Sequence, residues 1–76
     1  MSFLPILSYK EMKILMRRLD YFPVRQKGSH VIFENVSGNT ITIPNHPGRM
    51  LGKGLLRSLI RDLDMTVDEF MSLYKG

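Results

Sequence analysis

Val24-Arg25-Gln26-Lys27-Gly28-Ser29-His30-Val31-Ile32-Phe33-Glu34 is the stretch whose reading decides the fold. Gly28-Ser29 is a two-residue turn signal between β-prone runs, which predicts strands over residues 24–27 and 30–36 joined as a hairpin. Val36-Ser37-Gly38-Asn39 reads as a second turn. Thr40-Ile41-Thr42-Ile43 is β-branched and alternating, so it makes a third strand. Three strands in succession with short links form an antiparallel meander.

Helices flank the meander. Ser8 followed by Glu11 is a capping box, and Met12, Leu15, Met16 and Leu19 recur behind it at helical spacing. That helix has to end before Pro23. Pro44-Asn45-His46-Pro47-Gly48 is a loop, because proline and glycine stop the third strand. A second helix follows over residues 52–63, with Leu55, Leu56, Leu59, Ile60 and Leu63 as its buried stripe. Thr66 and Glu69 make another capping box. It opens a short third helix with Val67, Phe70, Met71 and Tyr74 as its apolar face. The order is α-β-β-β-α-α, an α+β fold in one domain spanning residues 1–76. The helices bury their stripes against one face of the sheet and leave the other face open. Residues 1–7 are given no role by the sequence.

The chain has 76 residues, 43% of them hydrophobic and 24% charged, which suits a small folded domain. It contains no cysteine, and its two histidines and scattered carboxylates lack metal-ligand spacing, so neither disulfides nor a zinc site is expected. The N-terminus has no basic segment followed by a long apolar one, and no run is long enough to span a membrane. A cytoplasmic protein with no membrane association is expected. The net charge of +4 makes nucleic acid the first partner class and an acidic protein the second.

His30 is the candidate for chemistry. Alternation puts Val31 and Phe33 on the core face, and His30, Ile32 and Glu34 on the open face. An imidazole titrates near pH 6.5, so it can take and give a proton near neutrality. It is suited to removing the proton from a ribose 2′-hydroxyl, which then attacks the adjacent phosphate without a metal or cofactor. Glu34 stands about 13 Å further along the strand and is too far to assist directly. Arg25, Lys27, Arg49, Lys53 and Arg57 are candidate phosphate contacts, and Lys53, Arg57 and Arg61 line one helix face. Gly28 and Ser29 in the turn and His46 in the loop are further candidate RNA contacts. Phe22, Phe33 and Tyr21 are the aromatic residues near the sheet. Ile32, apolar on the open face, is a candidate contact for a protein partner.

Arg25-Gln26-Lys27-Gly28-Ser29-His30, then Ile43-Pro44-Asn45-His46-Pro47-Gly48, then Gly54-Leu55-Leu56-Arg57-Ser58-Leu59-Ile60 resembles the HicA toxin family, in order and in spacing. Met65-Thr66-Val67-Asp68-Glu69-Phe70 extends the likeness. The resemblance implies a fold like the double-stranded-RNA-binding domain. It also implies an mRNA-cutting toxin that blocks translation and is neutralised by a HicB-like antitoxin, with His30 as the family histidine. Two other readings remain open on the residues alone. One is an RNA-binding module of the same fold without catalysis, and the other is a subunit that only binds protein.

Overall fold

The computed structural model describes residues 3–76. Met1 and Ser2, at the head of the stretch without an assigned role, lie outside the described residues.

Local chemistry sets the first helix. The Ser8 side chain accepts from the Glu11 amide at 3.1 Å, and the Glu11 carboxylate accepts from the Ser8 amide at 3.0 Å. This capping box satisfies two N–H groups that a helix start otherwise leaves unpaired. Helix α1 then runs Tyr9–Arg18 and buries Met12, Leu15 and Met16. Its end is a left-handed turn at Asp20, φ 63°, with the Tyr21 amide donating to the Met16 carbonyl at 2.9 Å. Helices commonly finish in this way, although glycine is the usual left-handed residue.

The meander forms as the alternation predicts. Strands β2 (Phe22–Lys27), β3 (His30–Glu34) and β4 (Thr40–Pro44) make one antiparallel sheet in that order. Val31 pairs with Ile43 and Phe33 with Ile41, and all four are buried. Their face meets α1, α2 (Lys53–Asp62) and α3 (Val67–Lys75) in one core with Leu56, Leu59, Ile60 and Phe70. Helices lie on one face of the sheet and the opposite face is open. The fold is α+β and double-stranded-RNA-binding-domain-like. Tyr9 packs its ring 6.2 Å from that of Phe33, and burial pushes the Tyr9 phenol above its ordinary value.

The structure adds to this outline at several points. Leu7–Ser8 (β1) and Met50–Leu51 (β5) form a second, two-residue antiparallel ladder, with Leu7 opposite Leu51. Leu4 and Leu7 are core residues, so the N-terminal segment closes one side of the core. Strand β3 stops at Glu34 and does not reach Val36. The Asn35 side chain accepts from the Ser37 and Asn39 amides at 3.1 and 2.9 Å and starts the turn early. Strand β2 begins at Phe22, before the expected start at Val24. The second capping box is present, with Glu69 amide to Thr66 hydroxyl at 3.1 Å. Helix α3, however, packs Leu73 against the core and leaves Tyr74 exposed. The Leu73 carbonyl accepts from the Arg18 guanidinium at 3.1 Å, tying α3 to α1.

Candidate functional site

The hairpin between β2 and β3 positions the site. Lys27 and His30 are direct partners across it, so the loop is the two residues Gly28-Ser29. Gly28 takes φ 60° and Ser29 is not left-handed, which is the pattern of a type II′ turn. The Gln26 side-chain amide donates to the Gly28 carbonyl at 2.9 Å and braces the turn from within the strand.

Paired residues on antiparallel strands share a face. His30 is opposite Lys27 on one side and Pro44 on the other. Ile32 is opposite Arg25 and Thr42 in the same way. The open face therefore carries a row Lys27–His30–Pro44 beside a row Arg25–Ile32–Thr42. His30, Arg25 and Lys27 are exposed, and Ile32 is half-buried. Among the described residues no group hydrogen-bonds the His30 imidazole. Two cations thus stand on the same face as a free imidazole, in an arrangement able to hold a phosphate near a proton acceptor.

A bulge extends this face. Pro23 pairs with Phe33 and Arg25 with Ile32, which leaves Val24 as the extra residue. Two residues of β2 then oppose one of β3, and the alternation changes phase there. Phe22 consequently joins Glu34 on the open face, with its ring partly exposed. Of the aromatic residues that the sequence placed near the sheet, Phe33 and Tyr21 are core residues and Phe22 is at the surface.

The loop after β4 returns to the hairpin. The Asn45 amide donates to the Ser29 carbonyl at 2.6 Å, and the Arg49 amide donates to the His46 carbonyl at 3.1 Å. Pro47 followed by Gly48 at φ 76° makes this a type II turn. His46 and Arg49 are exposed on it. Lys53 and Arg57 belong to α2, in the helical layer, whereas His30 is on the opposite face of the sheet. Among the described residues, no group of three or more histidine, aspartate or glutamate side chains is placed to hold a metal ion. The groove of about 380 Å³ between α1 and β2, lined by Lys13, Ile14, Arg17 and Phe22, is separate from the His30 row. His30 stands on an open surface, which a long polymer can cross.

Two of these supports escaped sequence reasoning. Gln26 carries a local signal, a long amide side chain two residues before a turn glycine. The Asn45 contact to Ser29 carries none, because it is tertiary.

The family model described as "HicA toxin of bacterial toxin-antitoxin" matches residues 9–65, or 57 of the 76 residues. The chain belongs to the HicA toxin family. The matched span runs from α1 through α2 and includes every candidate site residue. Strand β1 and helix α3 lie outside the matched span of this HicA chain. No curated protein matches the chain. No helix among the described residues is long and apolar enough to cross a membrane.

Proposed function

We propose that this HicA-family chain is a metal-independent endoribonuclease that cuts mRNA, with His30 as general acid and base. The observation that carries this reading is the row on the open face, an exposed and unengaged His30 paired with Lys27 beside the Arg25–Ile32 pair. His30 accepts the proton of a ribose 2′-hydroxyl while Lys27 and Arg25 hold the neighbouring phosphates. The 2′-oxygen attacks phosphorus and the 5′-oxygen leaves. The products are a 2′,3′-cyclic phosphate and a 5′-hydroxyl. Gly28, Ser29, His46, Arg49, Lys53 and Arg57 extend the RNA contact surface around this centre. Ile32, apolar and beside His30, is where a HicB-like antitoxin covers the site. The protein acts in the cytoplasm, where mRNA is available to it.

The test is product chemistry. The purified chain, incubated with a long RNA in EDTA, should give fragments ending in 2′,3′-cyclic phosphate. Tight binding with the RNA left intact would show a binding module in place of a nuclease.

A further inference from the structure

We infer that His46 is the second imidazole of the site and donates the proton that the departing 5′-oxygen needs. The inference rests on the reading of His30 as the base and moves the acid half of the cleavage step from His30 to His46. Pro44 is the last residue of β4, but its register does not stop there. His30 pairs with Pro44, and the next step along the same diagonal, Ser29 to Asn45, is made by the 2.6 Å bond from the Asn45 amide. His30 follows Ser29 and His46 follows Asn45, so the two histidines flank this bond, one on each side. Strand alternation returns position 46 to the face that Pro44 shares with His30.

His30 and His46 are then diagonal neighbours on adjacent antiparallel chains, a relation that separates residues by about 7–8 Å. A phosphodiester fits between two imidazoles at that spacing, with the 2′-hydroxyl towards one and the 5′-oxygen towards the other. His30 and His46 are both exposed, so a phosphodiester can reach each imidazole. His46 is held from behind as well, because its carbonyl closes the turn to Arg49 at 3.1 Å. The charged groups around the pair are Lys27 and Arg25 on β2, Arg49 on the loop and Glu34 at the far end of β3. The cations predominate, as binding a phosphate requires.

The step balances. Neutral His30 takes the 2′-hydroxyl proton as the 2′-oxygen bonds to phosphorus. The bond from phosphorus to the 5′-oxygen breaks, its electron pair stays on that oxygen, and protonated His46 supplies the proton. His30 ends protonated and His46 neutral, and exchange with water restores both.

A leaving-group substitution tests this against a role for His46 in RNA contact alone. The substrate is an RNA oligonucleotide that the parent cuts, made with oxygen or with sulfur at the 5′-bridging position of the cut. A thiolate leaves without a proton. His46→Ala should slow cutting of the oxygen substrate by about 10²–10⁴-fold. It should leave the sulfur substrate within a few-fold of the parent. His46→Gln, which keeps a polar contact but carries no acid, should behave like His46→Ala. Equal losses on both substrates, loss on neither, or restoration by His46→Gln would overturn the role. His30→Ala should slow both substrates; parental rates on both would refute the base and leave the His46 comparison to be judged separately.

Discussion

Leu7 sits directly across the β1–β5 ladder from Leu51, and its side chain has no exposed surface. Ile6, its neighbour in sequence, is 61% exposed. The N-terminal segment thus places Leu7, with Leu4 before it, in the core while Ile6 points to solvent. Leu7→Ala should cost about 2–5 kcal/mol, as removal of a fully buried leucine does. Ile6→Ala should stay within about 0.5 kcal/mol of the parent. Urea denaturation of the two variants makes the comparison, and equal midpoints would show that the ladder does not close the core.

Asp64, like Asp20, sits in the left-handed region just past a helix end, at φ 59°. The Met65 amide donates to the Ile60 carbonyl at 3.1 Å, so the conformation is required by the turn. A carboxylate there also faces the negative end of the α2 dipole. Asp64→Gly removes both penalties and should stabilise the protein by about 0.5–1 kcal/mol. A fall in the thermal midpoint would mean that the Asp64 carboxylate makes a stabilising contact.

RNA affinity should be steeply salt-dependent, and the cations on the open face should dominate that dependence. Lys27→Ala and Arg25→Ala should each lower the slope of log affinity against log salt by about 0.7, the value for one phosphate contact on a single strand. Lys53→Ala and Arg57→Ala, in the helical layer, should lower it by less. Unchanged slopes for Lys27→Ala and Arg25→Ala would place the RNA on another surface.

The HicB-like antitoxin should protect residues 30–34 from hydrogen exchange in the complex. Ile32 is half-buried on the open face, and its flanking cations favour an acidic partner. Exchange of β3 at the same rate in the free and bound toxin would move the antitoxin off the His30 face.

Most of the fold was legible because its signals are local. Both capping boxes join residues three apart, and a two-residue turn fixes the phase of Val31, Phe33, Ile41 and Ile43. The same phase put His30 and Ile32 on the open face, and the pairing adds Arg25 and Lys27 to it. The β1–β5 ladder was not legible, since two residues have no periodicity and their partners are distant in sequence. The bulge at Val24 left no mark either, so the exposure of Phe22 beside Glu34 could be read only from the pairing. In α3 the choice of Leu73 over Tyr74 follows from how the helix lies on α1, where Arg18 bonds the Leu73 carbonyl. Asn45 reaching Ser29 is the same kind of fact, and it joins the loop of His46 to the hairpin of His30.

The most direct measurement is RNA cleavage by His30→Ala in EDTA, with circular dichroism to monitor the fold and a binding assay on the same RNA. His30 is exposed and outside the core, so the variant should fold as the parent does and bind RNA nearly as tightly. General acid–base catalysis is worth about 10²–10⁴-fold, and cutting should fall by at least that factor. A folded His30→Ala protein that cuts RNA as fast as the parent would contradict the assignment of the reaction to His30.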